Sequence, residues 1–125
     1  MGDSAVVVCY NNSMHFSPGV YVHNRGYQID ELLRKAAPRM RKGDPDYSAA
    51  RFCGVCHEHI EGSYGLGLIH PPKNWEEAVS KDFFHTNAGT FLLNVDTGEC
   101  TCVNGYGFTN SVIDGQYFRS YHLNP

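Results

Sequence analysis

The run Arg-Phe-Cys-Gly-Val-Cys-His-Glu-His at positions 51–59 places two thiols and two imidazoles within seven residues. Thiolate and imidazole are the main soft ligands for zinc, and a Cys–His pair can also be a nucleophile and its base. The core of the run, Cys53-Gly54-Val55-Cys56-His57, has the form of a c-type haem attachment motif. Covalent haem by this route belongs outside the cytosol, and no methionine stands in an obvious place for a sixth ligand. Haem is therefore disfavoured.

Zinc needs four ligands in a tetrahedron. A second pair, Cys100 and Cys102, could complete a set with Cys53 and Cys56, and His57 or His59 could replace one sulfur. Residues i and i+3 share a helix face, and residues i and i+2 share a strand face. Each pair would thus present both sulfurs together, and the site would form if the helix meets the strand. Packing is the competing explanation and carries more weight. Cys53 and Cys56 fall on a helical stripe with Ala49 and Ile60. Free cysteine packs as a small hydrophobe. Cys100 and Cys102 would then face Phe91, Leu93 and Val95 across a hairpin.

The best candidates for nucleophilic chemistry are Cys9, at the end of an apolar run, and His85, with Asn87 or Asp82 close in sequence. His15 and His23 are alternatives. No local nucleophile signature surrounds Cys9, so a buried strand residue is the simpler reading. The segment His85-Thr86-Asn87-Ala88-Gly89 has the polar and small residues of a ligand loop, or of a plain helix end.

These residues must be held by one small fold. The 125 residues fit a single domain, 1–125, and 42% hydrophobic content with 8 Tyr and 7 Phe can build one core. A net charge of −3 argues against general nucleic-acid binding. No signal peptide or membrane-length apolar run is legible, which gives a cytoplasmic expectation. Five cysteines in that setting read as thiols, ligands or catalytic groups rather than disulfides.

Positions 4–10 and 20–23 read as two strands. From Ile29 the apolar spacing turns helical at 29, 32, 33, 36 and 40, with Pro38 ending the helix early. A second helix starts after Asp44 or Asp46 and ends at Gly62. A third begins at the Asn74/Glu77 cap and runs to Phe83 or Phe84. Residues 63–68 read as irregular or as a short extended piece. Thr90–Val95 and Glu99–Val103 flank Asp96-Thr97-Gly98 as a hairpin, and 116–122 add a further strand. The expected fold is α+β: a mainly antiparallel sheet of four to five strands with about three helices packed on one face. Arg34, Lys35, Arg39, Arg41 and Lys42 form a basic cluster at one helix end, either a solvated face or a place for an acidic partner.

Two stretches resemble small uncharacterised bacterial and phage proteins. One is Val20-Tyr21-Val22-His23 with Glu31-Leu32-Leu33 and the run from Pro38 to Asp44. The other is His85 to Val95 with Gly105-Tyr106-Gly107. The resemblance implies a cytosolic single domain encoded by a mobile element, and it transfers no catalytic or binding residue.

With no phosphate loop or dinucleotide fingerprint, the leading expectation is a non-enzymatic binding or regulatory protein that acts through a protein partner, without a cofactor. A structural zinc domain and a small Cys/His hydrolase or transferase are the alternatives.

Overall fold

A computed structural model describes residues 3–59, 65–108, 112–113 and 116–124. The chain begins with β1 (Ala5–Tyr10), whose six residues are all buried. A strand with no exposed position must be covered on both faces, and β1 is the centre of the sheet. It pairs antiparallel with β2 (Gly19–Val22) on one side. On the other it pairs in parallel with β4 (Gly89–Asn94), from Ala5 opposite Gly89 to Tyr10 opposite Asn94.

The remaining strands are β3 (Leu66–Ile69), β5 (Glu99–Val103), β6 (Val112–Ile113) and β7 (Gln116–Ser120). The order is β3-β2-β1-β4-β5-β7-β6, so six strands of four residues or more are extended by a two-residue edge piece. The sheet is larger than the four to five strands expected. It is also mixed, because the central β1–β4 pair is parallel.

The helices are α1 (Ile29–Ala36), α2 (Pro45–His59) and α3 (Trp75–Ala78). In α1 the buried residues are Ile29, Leu32, Leu33 and Ala36, the spacing read from sequence. Pro38 sits in the 3-10 turn Ala37–Arg39 that ends it. Asp44 caps α2, its Oδ1 accepting from the Tyr47 amide at 3.1 Å. Ile60 and Gly62, expected at the end of α2, lie outside the described residues. Asn74 caps α3 by accepting from the Glu77 amide at 2.9 Å. Yet α3 stops after one turn, short of Phe83. Ser80 Oγ instead accepts from the Asp82 amide at 3.1 Å, a local turn that competes with helix.

Alternate residues of β1 enter two separate cores. Ala5, Val7 and Cys9 pack with α1 and α2 in the larger one. Val6, Val8 and Tyr10 pack on the other face with Phe16, Ala78, Phe84 and Leu92. The helices therefore lie on both faces, with α3 opposite α1 and α2. That corrects the expected one-faced arrangement. The reason is the parallel pair: burying β1 and β4 on both sides needs a cover on each.

The β4–β5 hairpin follows its turn chemistry. Asn94 Oδ1 accepts from the Asp96 and Thr97 amides at 2.8 and 3.2 Å, and Gly98 takes φ +83°. A Cβ at Gly98 would stand 2.2 Å from the Tyr121 carbonyl oxygen, so only glycine fits. Asp30 ties α1 to the C-terminal segment. It accepts from the Tyr121 hydroxyl at 2.6 Å and lies 3.7 Å from Arg119 Nε. Among the described residues no helix is long and apolar enough to cross a membrane.

Candidate functional site

The five cysteines are free thiols, and four are fully buried. On α2 the buried residues are Pro45, Ser48, Ala49, Phe52, Val55 and Cys56. The apolar face is centred on Phe52 and Val55, rotated from the 49/53/56/60 stripe. Cys53 sits at its margin, half-buried, and His57 and His59 are exposed. Helix α2 lies against β1, β2 and α1. Cys100 and Cys102 are on β5, which β4 separates from β1. They oppose Leu93 and Phe91 across the hairpin, the neighbours read from sequence.

One row crosses the sheet as Cys9, Leu93, Cys100 and Arg119. Leu93 stands between the Cys9 and Cys100 strands, which puts those backbones roughly 10 Å apart at ordinary strand spacing. Among the described residues no three His, Cys, Asp or Glu side chains gather closely enough to hold a metal ion. Cys53 and Cys56 thus share a core with Cys100 and Cys102 but meet a different part of the sheet.

Burial sets the chemistry of the buried thiols. It pushes Cys9 up to about 12, with the Asp46 charge adding in the same direction. It pushes Cys56 up to about 12, with Cys53 adding. Cys102 also rises to about 12 through burial, against a hydrogen bond from the Gly107 backbone that favours the thiolate. Burial raises Cys100 well above the ordinary value, helped by Cys102, Cys9 and Asp30. Burial thus favours the protonated form of these thiols, which is the weaker nucleophile.

Cys9 is a fully buried residue of β1, the simpler of the two readings. It is not joined to His85. His85 precedes Asn87 and Ala88, whose amides donate to the Ser4 carbonyl at the start of β1 at 3.1 and 2.8 Å. Cys9 is five residues further along, about 16 Å at strand rise. His15 lies 3.0 Å from Asp46, and His23 Nδ1 lies 2.8 Å from the Tyr21 hydroxyl. Of the basic cluster, Arg34, Arg39 and Arg41 are paired with Asp30, Glu58 and Asp44 at 3.8, 2.7 and 3.7 Å. Three of its five basic residues are thus ion-paired at the exposed surface.

Cys53 lines a cleft. Between α2 and the β2–β3 edge lies a cleft of about 600 Å³, walled by Phe16, Pro18, Ala49, Leu68 and Pro71, with Cys53 and Gly54 on the α2 side. The His15–Asp46 pair stands at its rim. Treated with iodoacetamide at pH 8 in its native state, the protein is expected to be alkylated at Cys53 first. The other four thiols should react only on unfolding. Mass mapping of the alkylated peptides checks this, and comparable native rates at two or more positions would refute the burial assignment.

The open edge of the sheet borders the same cleft. Residues 66–69 show little periodicity and contain a glycine, so the sequence offered β3 only as one of two readings, a short extended piece or irregular chain. The His23 amide donates to the Gly65 carbonyl at 2.9 Å, and the register continues from Val22 opposite Leu66 to Gly19 opposite Ile69. Antiparallel pairing alternates, so Gly67 and Ile69 direct their backbone groups inward to β2. Leu66 and Leu68 direct theirs outward, to the free edge. Leu66 packs on the larger core. Leu68, two residues on and so on the same face, is 69% exposed at the cleft.

A second cleft, of about 520 Å³, is bordered by Lys81, Phe84, His85, Thr86, Asn87 and Asn104. The loop singled out from its polar lead-in does border a cavity, although its histidine serves no cysteine. Asn104, at φ +63°, was not legible as a partner of this loop, since it comes from the far end of β5. In comparisons with protein-family models, curated proteins and solved structures, nothing matches this chain.

Proposed function

We propose that this is a small cytoplasmic binding protein that acts through a protein partner, and that it takes an extended segment of that partner along the edge of β3. The observation that carries the reading is the conjunction at Leu68. Its backbone N–H and C=O face an edge that is unpaired among the described residues, and its side chain borders an apolar cleft. Strand addition uses main-chain hydrogen bonds for affinity and pockets for alternate side chains for selectivity. An unpaired edge beside an apolar groove supplies both. The edge is short, but within β3 it reads Leu-Gly-Leu-Ile, with neither proline nor charge to block pairing. Met14, next to His15 in the chain and 51% exposed, adds an adaptable apolar surface near the rim. Five free thiols, four of them buried, suit a reducing compartment.

The test is selection from a displayed library of extended peptides, followed by affinity measurement on two variants. Leu68→Pro removes an outward N–H, a place where a strand edge tolerates proline. Ala50→Trp fills the cleft from an exposed position on α2. Both are expected to fold and to weaken the selected peptide by about tenfold or more, which is about 1.4 kcal/mol. Peptides that bind both variants at full affinity, or a library that yields none, would remove this reading.

A further inference from the structure

We infer that the cleft beside the 85–88 loop is a binding site for the phosphate group of a small phosphate monoester. It shares no residue with the α2–β3 cleft.

The loop is held in place before any ligand arrives. Asn87 and Ala88 donate their amides to the Ser4 carbonyl, and the Gly107 amide donates to the Ala88 carbonyl at 3.0 Å. The Ser4 hydroxyl donates to Asn87 Oδ1 at 3.2 Å, which turns the Asn87 carbonyl oxygen inward and leaves its NH2 as a donor. Asn104 is fixed from the other side, its NH2 donating to the Val79 carbonyl at 2.7 Å. Its own carbonyl oxygen remains as an acceptor for a ligand hydroxyl or N–H.

The free groups around the cleft are then mostly donors. Among the described residues, neither Lys81 nor His85 is ion-paired with a carboxylate. Thr86 Oγ1 is sequestered from solvent and has no hydrogen-bond partner among those residues, so it is not counted among the open donors. Among the described residues no Asp or Glu borders the cleft. An ammonium, an imidazole and an amide NH2 on one short stretch match an anion with several terminal oxygens. A tetrahedral phosphate can accept from all three in different directions. A planar carboxylate suits the bidentate fork of arginine better, and no arginine borders this cleft. The cavity is much larger than a phosphate group, which leaves room for an organic remainder against the Phe84 wall.

Titration with phenyl phosphate at neutral pH, followed by the backbone amide resonances of Thr86, Asn87 and Asn104, tests the site. Saturable shifts at millimolar concentration or below are expected, with weaker but localised shifts from inorganic phosphate. Lys81→Ala, at an exposed turn position that the fold does not use, should weaken phenyl phosphate about tenfold. His85→Ala should also weaken it. The inference is overturned if nothing saturates by about 10 mM, a ceiling that already corresponds to very weak binding. It is equally overturned if Lys81→Ala binds as well as the wild type, or if benzoate shifts the same amides with equal affinity.

Discussion

Phe52→Ala is expected to lower the free energy of unfolding by about 3–5 kcal/mol, the usual cost of emptying a buried aromatic site. Cys53→Ala, one residue on, should cost only about 0.5 kcal/mol, as at partly exposed positions without a special role. Phe52 is fully buried and is among the largest such side chains in the chain. It projects from the middle of α2, where Ser48, Ala49, Val55 and Cys56 surround it on the buried face. Small neighbours on the same helix cannot expand to refill the space, so the cavity term adds to the lost transfer energy. Against a typical total stability of about 5–15 kcal/mol, the loss would remove a large part of the margin. Urea denaturation of the two variants beside the wild type reads the difference directly. Equal losses at 52 and 53 would mean that the helix face has been misplaced.

That contrast shows where the helical stripe read from the sequence departs from the structure. Two cysteines three apart, followed by histidine, suggested a site, and a stripe through both cysteines suggested a buried face. The burial is real but rotated by one position. Phe52 and Val55 carry it, because a face three to four residues wide takes its centre from the bulkiest apolar side chains. Periodicity alone could place α1, where Ile29, Leu32, Leu33 and Ala36 leave no choice. It could not place α2, where small, polar and apolar residues alternate without a clean stripe.

The strands divide in the same way. β1, β2, β4, β5 and β7 announce themselves by β-branched runs or turn residues. β3 does not, because it is an edge strand whose residues are half or mostly exposed and which contains a glycine. The parallel pairing of β1 with β4 was not legible at all. It joins segments some eighty residues apart, and nothing local in either strand records its partner. The proposed binding surfaces inherit that limit. The α2–β3 cleft needs a strand the sequence left undecided, and the second cleft needs Asn104 beside a loop nearly twenty residues earlier. Only the loop itself, His85-Thr86-Asn87, was readable from residue types.

The buried thiols give the protein an expected weakness in alkali. Each of Cys9, Cys56 and Cys102 has an ordinary value of 9.0 and is pushed to about 12 in the folded state, chiefly by burial. The folded value is raised, so the unfolded chain gives up its proton first. The stabilisation is therefore intact below pH 9 and is lost as pH climbs from 9 towards 12. Each thiol contributes a slope of about 1.4 kcal/mol per pH unit in that window. Three together give about 4 kcal/mol per unit. Cys100 and the phenols of Tyr10 and Tyr121 shift in the same direction and steepen the fall. A domain of ordinary stability would then unfold near pH 11, within one to two units of a pH at which it is fully folded. Urea midpoints measured under reducing conditions should be flat from pH 7.5 to 8.5 and drop steeply above 9. Cys102→Ala isolates the cause. It is expected to be less stable than the wild type at neutral pH, because a small cavity opens beside Phe91 and Gly89. Above pH 9 its stability should fall less steeply, by about 1.4 kcal/mol per unit, since it has one proton fewer to lose on unfolding. If the two stability curves instead stay parallel from pH 9 to 11, this thiol does not set the alkaline limit, and the driving groups are to be sought among the other buried thiols and the tyrosines.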